Sequence, residues 1–523
     1  MSTVPVNNPM WRRALWIGVA VMVVAGIALW VLRSHLAPIV RHRAIEMLRN
    51  RFDSDAEIQD LQVSLLHGIS VKGSGVAVHY HGRFDLPPLI EIREFSGDMG
   101  WLSLLGKPSH IRRVEIKGLT IHIPPDRDRV ARSAPEKTRH GIPVLVDKLV
   151  ADEAELDLIP SDPKKSTHQF LIHRLTMHEV GLEHSAAFQA TLTNAAPPGE
   201  IKAEGHFGPW QIEDPGQTPL SAVYRFKDAD LGVFRGIAGI LSSQGKFGGV
   251  LEAIDVQGET TTPDFTISVA GHPLLLKTDF RATVDGTNGN TVLHPVIGQF
   301  LHTTLVCNGG VVKAVKGDGR EIVLDVTTDH ARLEDLLRLA VKADQPVMTG
   351  QVKLTTRFDL PPGKGDILDR LRLDGTFGVG AAEFANAAIR QKLEGLSRRG
   401  QGRPEDEDAG SAVSELKGSF RLQDGQMTFH NLTFGVTGAT VELVGTYGLR
   451  DEKLDFRGTL RLQAKLSQAV TGFKSFLLKP FDGFFRKNGV TVLPIKVTGT
   501  RGQPSFGLDL HSSKDEEKPA AGD

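Results

Sequence analysis

The residues best equipped for chemistry in this chain fall at spacings that no common chemistry uses. His178-Glu179 opens like the helical zinc pair H-E-x-x-H, in which two histidines one turn apart hold the metal. The position four after His178 is Leu182, and His184 comes too late to share a helical face with it. His79 and His81 would point to one side of a strand, and two ligands leave a tetrahedral site half built. Gly73-Ser74-Gly75 lacks the spacing of the nucleophile elbow G-x-S-x-G. Gly239 to Lys246 resembles a phosphate loop but has one residue too many before Gly245, and Phe247 replaces the required Ser or Thr. Asp406 and Asp408 sit in a charged stretch, where a solvated run is expected in place of an acid–base pair. The reading is a protein that is not an enzyme, with no catalytic residue, no metal site and no cofactor.

Such a chain must be read for the surface it builds. Its 523 residues exceed one ordinary domain and suffice for a large core. A net charge of −1 gives no electrostatic case for nucleic acid as a partner. With 55 glycines and 28 prolines, the composition suits many short strands and turns. Cys307 is the sole cysteine, so no intramolecular disulfide is possible, and that scarcity fits either side of a bacterial inner membrane.

One uncharged apolar run, Ala14 to Leu32, has 19 residues. At helical rise it spans roughly 28 Å, about one hydrocarbon core. Arg12 and Arg13 bound one side and Arg33 the other, with Trp11, Trp16 and Trp30 near the interfaces. The run is longer than a signal-peptide core, and no small-x-small cleavage site precedes Arg33. It reads as a single transmembrane helix. Arg33, Arg41, Arg43, Arg49 and Arg51 follow it, a charge bias that taken alone keeps the body in the cytoplasm. Leu36 to Phe52 then reads as a helix, with Val40, Ala44, Leu48 and Phe52 on one face and arginines on the other. It either lies in the headgroup layer or simply joins anchor to body.

From Ile58 the period changes to two. Val114 and Ile116, Ile121 and Ile123, Ile322 to Val326, and Val352 to Phe358 all alternate with polar residues. The clearest case is Asp455 to Leu466, with Phe456, Gly458, Leu460, Leu462, Ala464 and Leu466 on one face. Such alternation marks a sheet with one apolar and one wet face. Asp285-Gly286, Asp318-Gly319, Asp374-Gly375 and Asp424-Gly425 read as hairpin turns. Helices are expected over Leu231 to Leu241, Ala331 to Ala343 and Glu383 to Arg399, and linkers over Pro124 to Gly141 and Arg398 to Gly410. The tail from His511 to Asp523 reads as disordered.

A long meandering sheet must bury its apolar face. It can fold into a sandwich, close into a barrel or curl into a trough, and periodicity does not separate the three. About 450 residues at roughly 14 per strand and turn gives about 30 strands, or roughly 140 Å in single file. After Pro480, Leu466 to Lys487 places Phe481, Phe484 and Phe485 behind a helical pattern of Val470, Phe473 and Leu477, with Lys474, Lys479, Arg486 and Lys487 around them. Phe473, Leu477, Phe481, Phe484 and Phe485 are candidates for membrane contact. The competing reading is a helix capping the open end of the sheet.

The carboxy-terminal third resembles the AsmA family of bacterial envelope proteins. The resemblance rests on Leu416 to Leu422, Asp424 to Phe429, Asn431 to Phe434, Val441 to Tyr447, Leu493 to Thr500 and Pro504 to Leu510. Ser103 to Gly106 and Val114 to Leu119 similarly resemble the opening segment of AsmA and TamB proteins, and Gln244 to Gly249 has the family's flavour. The resemblance implies a mainly β chain, built as a long curled antiparallel groove with a few short helices, and chorein-type carriage of phospholipid. It implies an anchor in the bacterial inner membrane, a body in the periplasm, and non-enzymatic lipid transport towards the outer membrane. The alternative is an envelope assembly or scaffold factor with protein partners. On the groove reading, Phe456, Leu460, Leu462 and Leu466 line the lipid path. The expected divisions are 1–35 (tip and anchor), 36–125 (AsmA/chorein-like), 126–365 (middle β region), 366–510 (AsmA-like) and 511–523 (tail).

Overall fold

In the computed structural model of the chain, the described residues are 42, 45, 56–64, 69–79, 87–100, 109–123, 144–158, 168–181, 184–211, 214–314, 319–342, 345–346, 348–385, 387–405, 414–469, 486–487 and 489–509. Of these, 71% are strand, joined into one long, strongly curled half-barrel sheet. The predicted membrane span, Ala14–Leu32, lies outside the described residues, as do Pro124–Gly141 and the tail from His511. Among the described residues no helix is long and apolar enough to cross a membrane. His42 and Ile45 are helical, inside the helix expected over Leu36 to Phe52.

The amino-terminal lanes are β1 (Ala56–Ser64), β2 (Ile69–Val78), β3 (Ile90–Met99), β4 (Ser109–Ile111) and β5 (Arg113–Ile123). The middle holds β6 (Val144–Leu158), β7 (His168–Val180), β8 (Ala186–Ala195), β9 (Pro198–Phe207), β10 (Pro219–Asp230), β11 (Ile237–Ala238) and β12 (Ile240–Val250). It continues through β13 (Ala253–Ile267), β14 (Leu274–Val284), β15 (Thr291–Phe300), β16 (Thr303–Lys313), β17 (Arg320–Arg332), helix α1 (Leu333–Ala340) and β18 (Met348–Leu360). Helix α2 (Ile367–Arg370), β19 (Arg372–Phe384), helix α3 (Ala387–Gly400), β20 (Ser414–Gln423), β21 (Gln426–Val436) and β22 (Ala439–Gly448) follow. The chain ends its ladder with β23 (Lys453–Leu462), β24 (Arg486–Lys487), β25 (Val490–Thr500) and β26 (Gln503–Leu508).

Strand pairs with strand in sequence order, so each lane bonds only its chain neighbours. Of the 26 strands, β4 continues β5, β11 continues β12 and β24 adds two residues beside β25, leaving 23 main lanes. At about 4.8 Å per step the contour is roughly 105 Å, shorter than expected from strand counting. One junction departs from the expected antiparallel order: β5 and β6 run parallel, with Val114 opposite Leu149 and Ile123 opposite Leu158. Parallel neighbours need a long connection, and residues 124–143, outside the described residues, separate these two strands in the sequence. The ladder passes residues 125 and 365 without a break.

Bulges explain the curl. The register shifts at Phe226/Ala229, Thr262/Phe265, Asp279/Ala282, Leu293/Val296, Thr328/Ala331 and Val379/Ala382. Each bulge bends its strand and increases local twist. Alternate connections gather on two rims. The upper rim carries the connections after β10, β13, β15, β17, β19, β21 and β23; the lower rim carries those after β12, β14, β16, β18, β20, β22 and β25.

Several local expectations hold. Asp424-Gly425 is a two-residue turn with φ of 52° and 71°, the left-handed pair a type I′ hairpin requires. The helices over Ala331 to Ala343 and Glu383 to Arg399 appear as α1 and α3, so Arg398 belongs to a helix and not to a linker. Others fail for identifiable reasons. Leu231 to Leu241 is no helix: a single 3-10 turn, Leu231–Val233, leads into β11 and β12, because Gly236 and Gly239 sit at φ 105° and 136°. Asp374-Gly375 lies inside β19, where Asp374 pairs with Arg421 across the strands at 2.7 Å. The strand predicted to reach Leu466 stops at Leu462. Beyond it the amides of Gln463 and Ala464 bond Gly438 and Gly400 on the upper rim, and Leu466–Ala469 forms a 3-10 turn.

Helix α1 is held over the sheet by one buried carboxylate. Asp335, 4% exposed, accepts from the His302 amide and the Thr303 hydroxyl, both at 2.9 Å. That hydroxyl in turn accepts from the Arg332 amide at 3.0 Å. Asp335→Ala orphans the buried Thr303 hydroxyl and the half-buried His302 amide and is expected to cost about 2 kcal/mol, whereas Asp335→Asn keeps an acceptor and costs about 1 kcal/mol. Urea denaturation followed by fluorescence measures both; equal costs would show that the carboxylate merely fills space.

A candidate binding groove on the apolar face

Strand alternation sorts the side chains onto two unlike faces. Follow one cross-strand row on the shielded face. Leu61 stands opposite Gly73, then come Phe95, Ile116, Ala151 and Leu175. The row runs on through Ala190, Ala203, Tyr224, Gly245, Gly258 and Phe280. After the bulge in β14 and β15 it resumes at Val296, Cys307, Val326, Thr356 and Gly375. It ends with Phe420, Phe429, Gly445, Phe456, Val497 and Phe506. No charged side chain interrupts it over 23 lanes. The parallel row on the opposite face reads Arg174, Thr191, Lys202, Arg225, Gln244, Glu259 and Asp279.

Most of the apolar face is half-buried, while the charged face is exposed. Four packed patches account for much of what is fully buried, one of them around Leu119, Ala151 and Ala154 among the strands β3 to β7. Ile45 packs on Ala56, Ile58, Leu61 and Val63 at the amino-terminal end. Leu333 and Leu336 of α1 pack on Ala331, Val352 and Val379. Leu396 of α3 packs on Val436, Ala439 and Leu462. Helix α1 lies along β17 and β18 and reaches β13, and α3 lies along β19 and β21 to β23. Among the described residues no helix covers the middle lanes, so their apolar face stays open and only half-buried.

Aromatic rings line the carboxy-terminal half. Phe377 lies 6.1 Å from Phe420 and 6.3 Å from Phe429, and Phe429 lies 5.6 Å from Phe456. Glycines on neighbouring lanes let these rings lie down. A Cβ on Gly445 would stand 2.2 Å from the Asp455 carbonyl oxygen and 2.6 Å from Phe456 Cα. Gly445→Val is expected to force β22 and β23 apart at a cost of about 3 kcal/mol. Gly435→Ala, with open space at its Cβ, serves as the neutral control. Equal melting temperatures for the two variants would contradict this packing.

The titratable groups on the apolar face are muted. Burial raises the Tyr224 hydroxyl pKa, against a hydrogen bond with Ser243 that lowers it. Burial likewise raises the Cys307 thiol, which disfavours the nucleophilic thiolate. The charged face holds a depression of about 1380 Å³ across β7 to β15, lined by both signs of charge, among them Lys202, Arg225, Lys246, Glu204 and Glu259.

The residues singled out from sequence fall in different places. Phe456, 6% exposed, stands in the apolar row, and Leu460 is half-buried between Val441 and Leu493. Leu462, 3% exposed, lies in the packed patch beneath α3. Leu466 lies past the end of the strand, in the 3-10 turn. Phe473, Leu477, Phe481, Phe484 and Phe485 lie outside the described residues. His178 and Glu179 lie on β7, Glu179 at φ 55°, Ser74 lies on β2 and Lys246 on β12, so none is on a helix or phosphate loop. Among the described residues no three metal-binding side chains converge. The sequence reading missed Phe377, Tyr224 and Phe247 on the apolar face, because Gly378, Val223 and Gly248 beside them blur the alternation that Asp455 and Arg457 make plain at Phe456.

No protein family, no curated protein and no solved structure matches the chain.

Proposed function

We propose that this protein carries phospholipid along its apolar groove. The observation that supports this most is the uncharged row crossing 23 lanes, open over the middle of the sheet and bordered by polar rims. A packed core would end at a second layer. A continuous trough instead matches the length of acyl chains laid side by side. Each methylene moved from water into it gains about 0.8 kcal/mol, so a chain of about fifteen gains roughly 12 kcal/mol before the costs of ordering. On this reading Ala14–Leu32 anchors the chain in a bacterial inner membrane and the body works in the periplasm, delivering lipid towards the outer membrane as the AsmA resemblance implies. The work is non-enzymatic.

The test is lipid extraction from the purified full-length chain followed by mass spectrometry. Several phospholipids per chain are expected; none would overturn the reading. A reporter active only after export, fused beyond Asp523, tests the location, and its inactivity would return the body to the cytoplasm.

A second reading, an envelope assembly or scaffold factor, draws on the last lane. All six residues of β26 are exposed, with Phe506 at 67% and Leu508 at 52%. A bare edge strand can accept another chain's strand. Co-purification of a stoichiometric protein partner without lipid would favour it.

A further inference from the structure

Among the described residues the two rims of the groove touch in two places. On the lower rim the Ile367 amide, at the start of α2, donates to the Arg235 carbonyl oxygen on the upper rim at 2.9 Å. A Cβ on Gly236 would lie 2.9 Å from Asp366 Oδ1 and 3.3 Å from Ile367 Cβ, so the chains are in contact there. At the second place Arg501 on the lower rim donates to the Lys342 carbonyl oxygen on the upper rim at 3.5 Å. Arg235 lies between the lanes of β10 and β12, and Ile367 between β18 and β19, seven lanes on. Lys342 lies between β17 and β18, and Arg501 between β25 and β26, again seven lanes on. One offset found twice means that the ribbon coils with a constant pitch, bringing upper rim onto lower rim at each seam.

Both lower-rim turns are braced by ion pairs. Arg450 reaches Asp369 at 2.8 Å and Asp366 at 3.4 Å, which steadies α2. Arg501 is held by Glu452 at 2.9 Å. Across the rims themselves the bonding is thin. A single hydrogen bond of this kind contributes about 1 kcal/mol net, so thermal motion opens it readily.

The geometry points to gating: each seam is a gate that a lipid headgroup must open to pass along the groove. This rests on the lipid reading given above. Acyl chains fit the apolar lumen, but a charged headgroup loses too much hydration to enter it. The headgroup must therefore travel in the slot between the rims, and at the seams there is no slot. Lipid can rest on either side of a seam but advances only when the rims part.

The experiment locks a seam. In the full chain carrying Cys307→Ser, Gly236→Cys and Ile367→Cys place two Cβ atoms close to the about 3.5–4.5 Å that a disulfide needs. Arg235→Cys with Ile367→Cys guards against strain at Gly236, since the backbones of those two residues are hydrogen-bonded. Transfer of fluorescent phosphatidylglycerol between phosphatidylcholine vesicles is followed in oxidised and reduced protein. The oxidised forms should transfer at least tenfold more slowly, with lipid bound per chain unchanged and the parent rate restored by reductant. Equal rates in both states overturn the gate. Failure of every pair to cross-link overturns the seam contact. A parent protein that neither holds nor moves lipid overturns the lipid reading, and the gate falls with it.

Discussion

Leu462→Asp unfolds the carboxy-terminal lanes while the middle of the sheet stays intact. Leu462 is 3% exposed and packs against Val436, Ala439, Ala469 and the Leu396 side chain of α3. Its cross-strand partners, Ala439 and Thr491, offer no cation. Leu462→Ala, which only opens a cavity, should cost about 3 kcal/mol. The carboxylate adds the cost of an unpaired buried charge, bringing the total above about 5 kcal/mol. Because each lane bonds only its neighbours, hydrogen exchange should accelerate from β19 to β26 and stay slow from β7 to β16. Arg461→Asp, one residue away on the exposed face, loses only a surface pair with Glu442 and should cost under about 1 kcal/mol. Unchanged exchange in the Leu462→Asp protein would remove α3 as a cover over this end of the groove. Loss of lipid by this variant would not identify a lipid contact, since the fold beneath α3 goes first.

The clean test of lipid contact lies in the open middle. Val256 is half-buried on the apolar face, between Phe247 and Ala282, away from α3. Val256→Asp leaves its charge hydrated while the groove is empty, so the protein should fold with a melting temperature near the parent's. An acyl chain entering would have to strip that hydration, and bound lipid should fall at least tenfold, the equivalent of about 1.4 kcal/mol. Gln257→Asp, the next residue, points to the charged face and should bind lipid as the parent does. Equal occupancy in the two variants would mean that the apolar face is not where lipid sits.

Much of this fold can be read from local pattern. Alternation alone places Val352, Leu354 and Phe358 on one side of β18, and Asp424-Gly425 locates its turn to the residue. The information fails where a residue's partner is distant. Asp374-Gly375 has hairpin chemistry, yet ladder pairing with β18 on one side and β20 on the other, both distant in sequence, keeps both residues in a strand. Leu231 to Leu241 has helical spacing, but spacing does not weigh the glycines that break it. The parallel β5–β6 pair and the coiling of the ribbon depend on how lanes stack, and no window of sequence contains that. For the site, alternation put Phe456, Leu460 and Leu462 on one face but could not tell that Leu460 and Leu462 join the patch packed by Leu396 of α3 while Phe456 lies outside it.

The hairpin plan also makes the protein a ruler. Apart from the β5–β6 crossover, each added hairpin returns the chain to the rim it left and lengthens the contour by about 9.6 Å. Duplication of a hairpin could therefore set the reach of such a chain in even steps without redesigning any interface, as in other repeat-like architectures. The two stretches that a seam spans, Arg235 to Ile367 and Lys342 to Arg501, are the exceptions. In either, one extra hairpin would carry the lower rim two lanes past its partner, so length can change at low cost only outside them.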